Sequence, residues 1–321
     1  MPANSNIIPP VNKKLLLSEL TKDKMLRKTN YGANEIYVFT HDQCPNLMRE
    51  LGRLREITFR AAGGGTGKET DIDEFDISDD APYCQMIVWD PQHKQIIGGY
   101  RFILGEYATD NPNAKLATGH IFDYSDKFVN EYLPYTIELG RSFIQPSYQY
   151  LKNFRRGIFA LDNLWDGIMA LTSEYKHIKY WFGKFTMYKS YNVQARNFLL
   201  SFLNLYFPDN EMLVSPKRPI DFEFEKNKVA FSGNNFSDDY KKLKVELKNL
   251  NSKIPPLVNA YMKLSDTMKV FGTADNLEFG DVEETGILIN IADTHDSQRS
   301  RHLKNYKSLI DLNSIYPSKQ K

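Results

Sequence analysis

Cysteine is nearly absent: Cys44 and Cys84 are the only two in 321 residues. They cannot build a disulfide framework or a four-cysteine zinc site, and a reducing cytosol suits such a chain. Long apolar runs are missing as well. No stretch approaches the roughly 18 residues that a membrane span needs, and the opening MPANSNIIPPVNKK has no apolar core of signal-peptide length. The expectation is a cytoplasmic chain that neither spans a membrane nor is exported by that route. An excess of one charge is also lacking. With 41 Lys and Arg against 40 Asp and Glu, the formal charge of +1 gives no global field that would attract nucleic acid. The six histidines include no pair at the one-turn spacing of helical metal sites, so no metal is expected. No G-x-S-x-G elbow supports a serine nucleophile.

What is present is ample apolar material: 41% hydrophobic and 13% aromatic residues can bury a substantial core. The first thirty or so residues are polar, then basic and amphipathic in KKLLLSELTKDKMLRK, which reads as a loosely docked arm or a weak membrane contact. Leu47, Leu51, Leu54 and Thr58 have helical spacing. YCQMIVWD and QIIGGYRFIL read as strands of a hairpin across DPQHK. Ile158, Leu161, Leu164, Trp165, Ile168 and Leu171 form one helical face, and IKYWFGKF is a further strand. Helices near 193–203 and 240–250, a Pro-led helix at PPLVNAYMKL and the strand TGILINIAD follow. The economical architecture is a mixed sheet flanked by helices, of the α/β (α+β) class.

AGGGTGKE looks like a phosphate-binding loop but fails on inspection. Ala62 stands where the first glycine belongs, Glu69 where a Ser or Thr should meet magnesium, and a helix rather than a strand precedes it. A glycine-rich turn is the better reading. More informative is YTIELGRSFIQP, a strand-like run that carries Glu138 and Arg141 among apolar residues. Burying unpaired charge is costly, so the two need each other, a solvent cleft or a function. Residues three apart on a regular strand point to opposite faces, whereas a bulge at Gly140 would bring both to one cleft and splay the strand from its neighbour. The acidic cluster DIDEFD and Arg101 in GGYRFI complete the set. Taken singly, each also fits a solvated loop, a hairpin-edge charge or a structural ion pair.

In order, LREITFR, DIDEFD, IIGGYRFI, ELGRSFIQP, FRRGIFALDNLWDGI and YWFGKFTM resemble the GNAT-type acyltransferases labelled hemolysin-like, which include ornithine and glycine lipid N-acyltransferases. IPPLVNAYMKL followed by VFGTADNLEFGDVEETGILINI resembles that family's C-terminal block, so the likeness runs over about 35–293. It implies a GNAT-like mixed sheet in which the pantetheine arm of a thioester slots between two splayed strands. A more distant similarity, to N-acyl-homoserine-lactone synthases, implies residue roles: Arg55 and Phe59 as the helix pair, Asp73 and Asp76 as the acidic pair, Arg101 as the strand arginine, and Glu138 with Arg141 as E-x-x-R. The tryptophan expected before the acidic pair is replaced by GGGTGK, which speaks against S-adenosylmethionine as substrate.

On this basis the expected function is transfer of a 3-hydroxylated fatty acyl chain from acyl carrier protein, or from coenzyme A, to the amine of glycine or ornithine. Glu138 is expected as general base, with Asp73 and Asp76 holding the ammonium or serving as the alternative base. Arg101 or Arg141 suits a substrate carboxylate. Arg155, Arg156 and Gly157, just ahead of a helix, suit the phosphate of the acyl-phosphopantetheine co-substrate, unless they are simply a solvated helix start. Tyr188 in MYKSYN lies where many GNAT-type enzymes place the acid that protonates the leaving thiolate. No permanent cofactor is expected; acyl carrier protein, the amino acid and a peripheral membrane contact are the expected partners. A signal synthase is the second reading, and a lytic protein or an inactive binding module are the remaining ones. The expected organisation is an arm at 1–34, an acyltransferase core at 35–207, a C-terminal extension at 208–293 and a basic tail at 294–321.

Overall fold

A computed structural model describes residues 6–149, 157–224, 227, 229–304 and 306–319. In chain order its main elements are α1 (Lys13–Glu19), β1 (Met25–Lys28), β2 (Glu35–Phe39), α2 (Pro45–Ala62), β3 (Cys84–Asp90), β4 (Gln95–Leu104), the single turn α3 (Pro112–Lys115), β5 (Phe122–Tyr124), β6 (Thr136–Ile144), α4 (Ala160–Glu174), β7 (Tyr180–Met187), α5 (Val193–Tyr206), β8 (Val214–Pro216), α6 (Phe236–Asn249), α7 (Pro256–Met262), β9 (Lys269–Asn276), β10 (Val282–Asn290) and α8 (Asp296–Leu303). Eight strands form one sheet in the order β1-β2-β3-β4-β6-β7-β10-β9, and β5 pairs with β8 apart from it. Within the large sheet only β6 and β7 run parallel. The fold is the mixed, helix-flanked GNAT-like sheet that the sequence implied.

Alternation along β3 sorts the two faces. Met86 and Val88 belong to the larger core beside α4, while Ile87 and Trp89 belong to a second core under α2. Gly167 of α4 sits so close to Met86 that a Cβ there would stand 2.4 Å from its Sδ. α2 ends as its glycines suggest: Gly63 has φ +98°, its N–H bonds the Arg60 carbonyl at 3.0 Å, and Gly64 N–H bonds the Phe59 carbonyl at 2.9 Å. The loop beyond encloses the helix's own Glu56, which accepts from Thr66 N (3.1 Å), Thr66 Oγ1 (2.8 Å), Gly67 N (2.7 Å) and Arg60 Nε (2.6 Å). A side-chain carboxylate thus fills the anion-binding turn that superficially resembles a phosphate loop.

Both chain ends depart from the expected arm and tail. β1 pairs with β2, and the Glu19 carboxylate at the end of α1 accepts from Asn46 N at 3.0 Å and Leu47 N at 2.7 Å. Cys44, at the cap position of α2, makes no side-chain cap bond, so Glu19 supplies the missing acceptor from a distance in sequence. At the other end, His302 of α8 contacts Asp166 of α4 at 2.8 Å, and Leu312 and Tyr316 are buried in the larger core. Polar composition concealed these attachments because a few specific contacts carry them. Among the described residues no helix is long and apolar enough to cross a membrane. Replacing Glu19 by Ala should lower unfolding stability by about 1–2 kcal/mol, measured from urea midpoints at constant m-value; an unchanged midpoint would show that water caps α2 equally well.

Candidate active site

The centre of the sheet contains an opening. β6 and β7 pair only from Thr136 with Tyr180 to Leu139 with Gly183, although both strands continue for several residues. Gly183 marks the apex, where a Cβ would stand 2.6 Å from the Leu139 carbonyl oxygen. Beyond it lies a cleft of about 250 Å³. Its wall on the α4 side is largely apolar, with Tyr100, Phe185, Leu257 and Tyr261. On the α2 side it is charged and aromatic, with Phe59, Arg141, Lys184, Tyr188, Phe279 and Glu284. The cleft therefore passes through the sheet from an oily face to a polar one.

A bulge creates the opening. Opposite β4, Gly99 pairs with Phe143 and Arg101 with Gly140, so Tyr100 alone faces both Arg141 and Ser142. The bulged residue is Arg141, held at φ +49°, rather than Gly140 as expected. A non-glycine residue in that region is strained, and its ion pairs hold it there. Arg141 bonds Asp71 at 2.9 Å and Asp73 at 3.1 Å, and lies 4.4 Å above the Phe279 ring. The shifted alternation brings Glu138 and Arg141 to the α2 face together, while Ser142 takes the other face.

Beneath that face is a buried layer of charge. Asp73 accepts from Arg101 at 2.6 Å on one oxygen and from Arg141 at 3.1 Å on the other. Asp76 meets Arg55 and Arg101 at 3.2 Å each, and Gln85 at 2.9 Å. Arg55 also reaches Gln85 at 2.5 Å. Burial pushes Asp73 upward, but the Arg101 and Arg141 charges outweigh it and hold the carboxyl well below its usual range. Glu138, 1% exposed, accepts from Tyr83 Oη at 2.5 Å and Thr118 N at 3.1 Å. Burial raises its pKa, opposed by those hydrogen bonds and by Arg101.

Of the residues singled out from sequence, Phe59, Arg141 and Tyr188 line the cleft. Arg55, Arg101, Asp73, Asp76 and Glu138 lie in the layer behind it. Arg55 and Arg101 are 0% and 2% exposed and spend their charge on aspartates, so neither faces the cleft as a substrate arginine. Gly157 lies three residues before α4, and Arg155 and Arg156 fall outside the described residues. Sequence reasoning missed Lys184 and Glu284, an ion pair across β7 and β10 that lines the charged wall. Glu284 also accepts from Asn276 at 2.8 Å and Thr186 at 3.0 Å. Burial lowers Lys184, and the Lys184 charge overcomes burial to keep Glu284 below its ordinary value. The usable signal was a charge inside the apolar strand VEETGILIN, the same signal that marked Glu138.

Replacing Asp73 by Asn leaves Arg101 and Arg141 short of countercharge and should cost on the order of 3 kcal/mol of stability in urea titrations. Because folding depresses the Asp73 pKa, its contribution is complete above the unfolded value near ~4 and is lost as pH falls through the folded one. The Asp73→Asn deficit should therefore be constant from pH 5 to 8 and shrink below pH 4. A deficit that persists unchanged at pH 2 to 3 would contradict this. Gly140→Ala, by contrast, should shift stability by less than about 1 kcal/mol, since a Cβ there meets only Arg101 side-chain atoms at 3.5 Å or more.

The family described as "Acetyltransferase (GNAT) domain" matches residues 54–156. A glycine N(alpha)-acyltransferase of Phocaeicola vulgatus is 51% identical over 94% of this chain and 93% of its own length. A glycine N(alpha)-acyltransferase of Bacteroides thetaiotaomicron is 53% identical over 94% of this chain and 90% of its own length. No solved structure matches. With identity of that extent along nearly the whole chain, the protein belongs to the same family as these two relatives: it is an acyltransferase with a GNAT domain.

Proposed function

We propose that the protein transfers a long 3-hydroxyacyl chain from the phosphopantetheine thioester of an acyl carrier protein to the amine of glycine. The product is an N-acylglycine, the first intermediate of an aminolipid, formed in the cytoplasm beside the membrane that receives it. The observation that carries this reading is the opening between β6 and β7, apolar toward α4 and charged toward α2. A thioester arm and acyl chain suit the first side, a zwitterion the second. Glycine is preferred to ornithine because both relatives bear it in their names.

On the charged side, Arg141 and Lys184 receive the acceptor carboxylate and Glu284 its ammonium. An amino group of pKa about 7.7–8.0 must lose a proton before it can attack. Glu138 takes that proton through a water; burial raises its pKa above that of an ordinary glutamate, whereas Asp73 is held below its usual range and engaged by Arg101 and Arg141. The nitrogen then bonds to the thioester carbonyl carbon. Backbone N–H groups of the bulged stretch, whose β7 flank is unpaired beyond Leu139, donate to the oxyanion. As the C–S bond breaks, the thiolate receives a proton from Tyr188, which lines the cleft and whose pKa burial and Glu284 push up to about 12, and the second proton shed by the attacking nitrogen as the amide forms returns to the tyrosinate through water. Asp73 and Asp76 hold Arg101 and Arg141 in place and take no part in proton transfer.

The test is mass spectrometry of lipids from a host lacking aminolipids, expressing the protein or Glu138→Gln. N-acylglycine should appear with the wild type and fall by at least ~100-fold in the folded variant. The purified enzyme should lose kcat/KM on the acid side with an apparent pKa above that of ordinary glutamate, and Glu138→Gln should remove that limb. Acylation of another amine would replace glycine, and full activity in the variant would move the base elsewhere.

A further inference from the structure

The chain is almost neutral overall, yet one corner beside the cleft is strongly basic. On α6, Leu243 and Leu247 are buried while Lys241, Lys242, Lys244 and Lys248 are exposed. Lys241 and Lys242 are drawn toward the helix start by Asp238 (3.0 Å) and Asp239 (3.5 Å). Lys244 instead lies 4.7 Å above the Tyr240 ring, and together with Lys248 and Lys253 it lines a groove of about 570 Å³ that contains no carboxylate. Among the described residues none of these three lysines has an ion-pair partner.

Its position makes this groove more than a solvated helix face. Ile254 closes the groove, and the next residues, Pro255, Pro256 and Leu257, form the α4-side rim of the cleft. Lys253 and Pro255 are two residues apart, at most about 7 Å of chain. The Lys253 carbonyl is tied at 2.8 Å to Tyr191 Oη, beyond the end of β7. The groove that holds the three lysines therefore adjoins the apolar rim of the cleft through Lys253 and Ile254.

We propose that this α6–α7 corner docks the acyl carrier protein that delivers the thioester. The inference rests on the acyl-carrier reading of the donor given above. Charge complementarity selects the occupant: an acidic carrier whose phosphorylated pantetheine arm leaves its own surface next to acidic residues. Lys244, Lys248 and Lys253 meet those carboxylates and the arm's phosphate, and the arm then runs past Pro255 and Leu257 into the cleft. Exposed lysines of this kind act mainly on encounter and orientation, so they govern KM for the carrier and its salt dependence while leaving chemistry at the cleft unaltered.

The experiment compares the wild type with Lys244→Glu/Lys248→Glu/Lys253→Glu, using one 3-hydroxyacyl group attached to acyl carrier protein or to pantetheine alone. Circular dichroism establishes that the variant is folded, and Lys14→Glu, a reversal at the exposed face of α1, is the charge control. The triple reversal should raise KM for the acylated carrier at least 10-fold at low salt, leave kcat/KM for acyl-pantetheine within about 2-fold, and flatten the salt dependence. Lys14→Glu should change neither. An unaltered carrier KM, or equal losses with carrier and pantetheine substrates, would overturn the docking surface while leaving acyl transfer intact. A wild type that turns over acyl-coenzyme A but not the acylated carrier would overturn the donor assignment itself, and the docking surface with it.

Discussion

The double engagement of Asp73 by Arg101 and Arg141 is the interaction on which the centre of this molecule depends. It fastens the loop after α2 to two adjacent strands, and it keeps Arg141 in a backbone conformation that a side chain of that size otherwise avoids. Arg55 and Asp76 extend the same layer to α2, with Asp76 shared between Arg55 and Arg101. Each charge has an opposite neighbour, which is what makes so much ionisation tolerable at this depth. The layer braces the cleft from behind, and of these five residues Arg141 also lines the cleft itself.

That arrangement follows from one extra residue. Where Tyr100 faces two residues of β6, the strand turns its face and leaves the ladder with β7. The only parallel pair of the large sheet is also the pair that opens. Antiparallel neighbours on both sides keep the opening from spreading, and β10 carries Glu284 to Lys184 across the far edge. The charged wall is thus assembled from segments separated by a hundred residues of chain.

Much of this was legible beforehand. Two charges three apart in an apolar strand pointed to a bulge that would bring them to one cleft, and the bulge exists, one residue beyond the glycine where it was expected. A bulge at Gly140 would have served the alternation equally well, yet the ion pairs of Arg141 hold that residue in the bulge at φ +49° instead. The hairpin of β3 and β4 and the faces of α2 and α4 could be read from periodicity. The bonding of Asp73 could not, since spacing reveals which charges are near one another but not how many donors each oxygen receives. Lys184 and Glu284 escaped notice because their meeting depends on β10 docking against β7. The chain ends were misread for a related reason: Glu19 and His302 each attach a polar segment through contacts that composition does not record.

A passage that crosses the sheet also constrains departure. On the proposed reading, the new amide joins a head on one face to a long tail on the other, so the finished molecule is threaded through the protein like yarn through a needle's eye. One route out draws one end back through the gap past Gly183 and Arg141. An acyl tail withdrawn toward α4 must pull its head after it, and an acceptor without a side chain is the smallest head available. The same aperture that admits the reactants would then discriminate among products by what can be pulled out of it.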